Sequence, residues 1–97
     1  MFEKLVRGIL MESTIISRTH VRDFIISTVD SPDLGPETAI IDKYSAHPVE
    51  RYDSIDLAKE GHKKWVKFIK DGNVEITKLG YPGLVGDEKI TLNKKKD

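Results

Sequence analysis

Residues 53–73, Asp53-Ser54-Ile55-Asp56-Leu57-Ala58-Lys59-Glu60-Gly61-His62-Lys63-Lys64-Trp65-Val66-Lys67-Phe68-Ile69-Lys70-Asp71-Gly72-Asn73, decide how this chain is built. At about 100° per residue, Ile55, Leu57, Ala58, Gly61, His62, Trp65, Val66, Phe68 and Ile69 fill one broad arc. Lys59, Lys63, Lys67 and Lys70 form a narrow stripe opposite, and Glu60 is placed to pair with Lys63 and Lys64. Asp53 or Ser54 supplies an N-cap, and Asp56 puts negative charge in the positive first turn. Gly72 supplies the left-handed residue that closes a helix from about Ser54 to Lys70. Such a helix is stabilised mainly by what it packs on, so its arc calls for a second apolar surface.

The flanks supply that surface. From Ser13 to Val29 the residues are β-branched and aromatic, with a polar break at Arg18-Thr19-His20 that suits a bend or a bulge. Asp30 to Pro36 concentrates turn formers and two prolines, which fits a connection between antiparallel strands. Glu37 to Ser45 reads as the next strand, centred on Thr38-Ala39-Ile40-Ile41 and ended by Ala46-His47-Pro48. Beyond the helix, Val74, Ile76 and Leu79 begin a strand, and Pro82-Gly83 sit at the centre of a type II turn. Leu84-Val85 and Ile90-Thr91-Leu92 make the return, and residues 93–97 read as a charged, mobile tail. Phe2, Leu5, Val6, Ile9 and Leu10 recur at helical spacing, so residues 1–12 read as a short N-terminal helix. The predicted fold is α+β: a single domain over residues 1–97 with a small, mainly antiparallel sheet, one long amphipathic helix across it and that short N-terminal helix.

Composition removes several function classes. In 97 residues there are 16 basic and 16 acidic side chains, which argues against a strongly basic nucleic-acid module. Cysteine is absent, so no disulfide scaffold, thiolate metal site or thiol nucleophile can form. No apolar run approaches the ~20 residues that span a bilayer, and the N-terminus has no signal-peptide core. His20, His47 and His62 do not fall at a metal-ligand spacing, no serine sits in a nucleophile elbow, and no glycine-rich loop precedes a helix. The expectation is a protein with no catalytic residues, no metal and no cofactor.

Binding is the remaining chemistry. His62 falls within the apolar arc, where an imidazole either bonds a buried partner or lines a pocket. Arg51 and Tyr52 directly precede the helix, and Glu37 and Thr38 open the strand before it, so Glu37, Thr38, Arg51, Tyr52 and His62 form the candidate binding set. The alternative is a structural network in which Arg51 pairs with Glu37 and His62 bonds a backbone carbonyl. The stripe of Lys59, Lys63, Lys67 and Lys70 could face nucleic acid, but it lacks arginine and aromatic interleaving, as a solvated face would.

Ser27-Thr28-Val29, Glu37-Thr38 opening an apolar strand, and Arg51-Tyr52 before Ala58-x-x-Gly61-His62 resemble a group of small proteins encoded by tailed bacteriophages. The likeness covers roughly residues 18–70; after Glu37-Thr38 the group usually continues Met-Val-Phe, where this chain has Ala39-Ile40-Ile41-Asp42. The resemblance implies a phage origin and no particular mechanism. A small phage protein acting in the cytoplasm of its bacterial host is expected to bind a host protein or a small signalling ligand during takeover or anti-defence. A virion component and a nucleic-acid-binding regulator are the alternatives. The N-terminal stripe and the Leu84–Leu92 edge imply a homo-oligomer.

Overall fold

The computed structural model describes residues 13–94. Four strands come first: β1 (Thr14–Val21), β2 (Phe24–Ser31), β3 (Gly35–Ile41) and β4 (Ala46–Arg51). Helix α1 (Ile55–Lys70) follows, then β5 (Glu75–Lys78) and β6 (Glu88–Thr91). The first four strands form one antiparallel sheet in chain order, and β5 pairs with β6 as a separate antiparallel hairpin. The α+β class is as expected; the described residues hold one helix, and the last two strands stand as a sheet of their own rather than joining the first. The predicted helix over residues 1–12 lies outside the described residues. Among the described residues, no helix is long and apolar enough to cross a membrane.

The helix forms where the sequence places it. The Ser54 side chain accepts from the Leu57 amide at 3.1 Å, and Gly72 closes the other end with φ of 92°. Its buried stripe is narrower than the predicted arc: Ala58, Gly61, His62 and Ile69 are buried, Trp65, Val66 and Phe68 are half-buried, and Ile55 and Leu57 are exposed. Small residues at 58 and 61 let the helix approach closely, and the Tyr52 ring fills the space against Gly61 that would otherwise receive a larger side chain. The core joins this stripe to Val21, Phe24, Ile26, Ile40 and Val49 of the sheet and to Ile76 and Leu92 of the hairpin region.

Four expectations change. Arg18-Thr19-His20 runs straight within β1, and the chain reverses at Arg22-Asp23 with Arg22 at φ of 55°, a turn with no glycine or asparagine to announce it. The irregularity in β1 lies between Ile15 and Ser17. Ala46-His47-Pro48 begins β4 rather than ending β3; Pro48 is tolerated because β4 is the last strand of its sheet. Leu84 and Val85 are exposed outside any strand, because both amides fold back onto the Tyr81 carbonyl. Asn93, assigned to the mobile tail, is held: its side chain accepts from the Lys43 amide and its own amide donates to Asp42.

Candidate functional site

Strand alternation sorts the predicted site residues onto opposite faces of the sheet. Thr38 faces the helix, and so do Thr28 beside it and Thr19 on β1. These hydroxyls complete a continuous chain beneath α1. Thr19 Oγ1 lies 2.8 Å from His62 Nε2, His62 Nδ1 lies 2.7 Å from Thr28 Oγ1, Thr28 Oγ1 lies 2.6 Å from Thr38 Oγ1, and Thr38 Oγ1 lies 2.9 Å from the Tyr52 hydroxyl. Beside this chain the Glu50 carboxylate accepts from Trp65 Nε1 at 2.8 Å and pairs with Lys64 at 2.7 Å.

Burial lowers the pKa of His62 and so favours its neutral ring. Burial, with Glu50 adding repulsion, pushes the Tyr52 phenol up to about 12. Burial alone would raise Glu50, but Lys64 and Trp65 overcome it and leave the carboxyl below its ordinary value.

Glu37 and Arg51 are on the other face. Arg51 Nε donates to Glu37 at 3.1 Å, and its guanidinium reaches the Gly80 carbonyl at 2.9 Å, pinning the loop between β5 and β6. The predicted five-residue set therefore divides: Thr38, Tyr52 and His62 share one network, and Glu37 with Arg51 form a separate ion pair. His62 finds hydroxyl partners rather than a carbonyl. Lys59, Lys63, Lys67 and Lys70 are exposed on α1, with Lys63 paired to Glu60 and Lys67 to Asp71.

A second polar cluster, absent from the predicted set, lies at the β3–β4 turn. Asp42 Oδ1 accepts from the amides of Tyr44 (2.8 Å) and Ser45 (2.9 Å), while Oδ2 accepts from the Asn93 amide (2.8 Å) and from His47 Nε2 (3.1 Å). Burial works to raise this carboxyl, but the three amides and His47 outweigh it and hold it at about 2. With Nε2 committed to Asp42, the other ring nitrogen of His47 is Nδ1. That atom is buried and has no partner, unlike any other buried side-chain nitrogen or oxygen among the described residues. His47 forms part of the wall of an open cleft of about 900 Å³. One side is Tyr44, Ser45 and His47 of the turn, and the other is the β5–β6 hairpin with Lys78, Lys89 and Lys94. The sequence offered one clue, an aspartate two and three residues before the amides it caps.

Ser45 and Asp42 both address Nε2 of His47, at 3.4 and 3.1 Å, so the trio is not wired as a relay from acid through base to nucleophile. Among the described residues, no group of three or more histidine or carboxylate side chains is arranged to hold a metal ion. The cleft offers instead an exposed phenol ring, carboxylates and ammonium groups, the donor and acceptor set of a binding pocket. No known protein family, curated protein or solved structure matches this chain.

Proposed function

We propose that this protein acts by binding rather than by catalysis, as a small phage-encoded accessory protein that holds a host protein or a small signalling ligand in the bacterial cytoplasm. The observation that carries the reading is the cleft of about 900 Å³ walled in part by His47, whose buried Nδ1 has no hydrogen-bond partner. A buried polar nitrogen without a partner costs about 1–3 kcal/mol, so its place beside a cleft marks a site where structure gives way to binding. The cleft volume suits an occupant of small-molecule size or an inserted side chain. The phage origin rests on the resemblance over residues 18–70.

The test is native mass spectrometry of the full chain recovered from infected host cells, in wild-type form and as His47→Gln. Glutamine can keep an N–H directed at Asp42 while removing the second ring nitrogen. A stoichiometric mass carried by the wild type and lost from the variant supports the reading. An empty wild-type protein overturns it. Recovery in purified virions, or nucleic acid retained in a steeply salt-dependent way, overturns it in favour of a virion component or a regulator. Light scattering on the same preparation tests the expected self-association.

A further inference from the structure

The two faces of the four-stranded sheet are unequally covered. On the helix side, Ile26, Thr28, Thr38 and Ile40 are fully buried. The register places Ile25, Val29, Ala39 and Ile41 of the same two strands on the opposite side, with Ile15 of β1 and Pro48 of β4 beside them. Ile15 is 56% exposed and the others are only half-buried. Among the described residues, no helix or further strand packs across this outer face: α1 lies on the other side against β1, β2 and β3, and β5 meets the sheet at β4. An antiparallel sheet with one face in water alternates to polar residues on that face. This face does not, and its main polar groups are already engaged, Arg18 with Ser27 at 3.0 Å and Arg51 with Glu37 at 3.1 Å.

The same chain holds a segment of matching chemistry at the edge of that face. Phe2, Leu5, Val6, Ile9 and Leu10 make one stripe at helical spacing, and Glu3 and Glu12 flank it. Ser13 joins this segment to β1, an outer strand of the sheet, two residues before exposed Ile15. We propose that residues 1–12 lie across the outer face as its cover, with the apolar stripe turned inward. Length favours this occupant: twelve residues of helix reach about 18 Å, and four strands measure about 14 Å across. Attachment favours it too, since a short tether gives an effective concentration on the order of millimolar that a second copy lacks. Charge agrees: among the described residues Arg18 meets the Ser27 hydroxyl and no carboxylate, and the flanking glutamates supply one. A stripe used in this way is not free for the self-association expected from the sequence. The inference does not depend on what the cleft binds.

The experiment uses the full 97-residue chain, whose lack of cysteine lets a single Lys4→Cys change carry a nitroxide on the side away from the stripe. Amide signals of the isotope-labelled protein are compared by NMR with the nitroxide active and reduced. The amides of Val29, Ala39 and Ile41 are expected to lose most of their intensity. Those of Lys59, Lys63 and Lys67, beyond the sheet on the exposed side of α1, should keep theirs. A mixture of isotope-labelled chain without the nitroxide and unlabelled chain with it should show no loss, because the contact lies within one molecule. Ile9→Asp puts a charge into the stripe and should abolish the loss while leaving the α1 amide shifts unchanged. The proposal is overturned if the outer-face amides keep their intensity, or if the loss falls on α1 instead. It is also overturned if Ile9→Asp with unchanged α1 shifts shows the loss undiminished. Loss in the mixed sample overturns it in favour of a second copy on this face. Should Ile9→Asp fail to fold, the intensity map of the otherwise wild-type chain and the mixed sample decide the matter by themselves.

Discussion

Two buried histidines in this protein are completed differently. His62, on the buried face of the helix, has hydroxyl partners on both ring nitrogens and belongs to a chain that runs on to the Tyr52 hydroxyl. His47, in β4 beside a cleft, has one nitrogen committed to Asp42 and the other buried without a partner. The two are similarly buried, at 5% and 7% exposure, so burial does not separate them. The number of satisfied nitrogens does. A closed network holds a fold, because every group in it already has a partner; an open one leaves an interaction to be made.

The strongest way to break this comparison is to strain the closed network. A methyl group at Gly61 would overlap the Tyr52 hydroxyl and ring, and Tyr52 is tied to Thr38. Gly61→Ala is expected to lose about 3 kcal/mol, at the upper end of overpacking costs, read as a lower urea midpoint. It should also bring the Tyr52 phenol down toward 10 from about 12 in an ultraviolet titration. Thr28→Val keeps the shape and deletes the hydroxyl between His62 and Thr38, leaving Nδ1 of His62 without its partner. About 2 kcal/mol should be lost, whereas His47→Gln in the open cluster should cost less than about 1 kcal/mol. Equal losses would erase the distinction between the histidines.

A smaller effect sharpens the comparison through pH. The pKa of His62 is lowered by burial from 6.5, so its contribution to stability is fully present above pH 6.5. As pH falls below that value, the unfolded imidazole takes a proton that the folded one resists, and stability declines. The slope below pH 6.5 should flatten in His62→Gln, measured by denaturation across the pH range. An unchanged slope would place the titrating group elsewhere. The smallest effect belongs to the basic face. Replacing Lys59, Lys63, Lys67 and Lys70 by Gln should shift the urea midpoint little, since exposed charges contribute about 0–1 kcal/mol each. Loss of a specific nucleic-acid complex in that variant would favour the regulator alternative.

The legible part of this protein was the part with local signals. Helix α1 could be bounded because Ser54, Asp56 and Gly72 act on their own neighbours, and the Pro82-Gly83 turn because proline and glycine set their own dihedrals. The Arg22-Asp23 turn had no such marker, and β4 was hidden because Pro48 reads as a breaker until the sheet edge beside it is known. Membership of the polar networks was legible for His62, Tyr52 and Thr38, whose types and positions flank the helix. It was not legible for Thr19 and Thr28, which reach His62 across 43 and 34 residues of chain.

The sequence by itself determined the α+β class, the amphipathic helix and a chain without thiol chemistry, because hydrophobic period, caps and composition are properties of neighbours along the chain. The tertiary structure alone decided that Glu37 and Thr38, adjacent in sequence, face opposite sides of the sheet in separate assemblies. It also decided that His47 rather than His62 is the histidine with a bond left to make. Whether a buried polar atom has a partner depends on which distant strands fold over it, and strand register and sheet order set that, not the residues on either side.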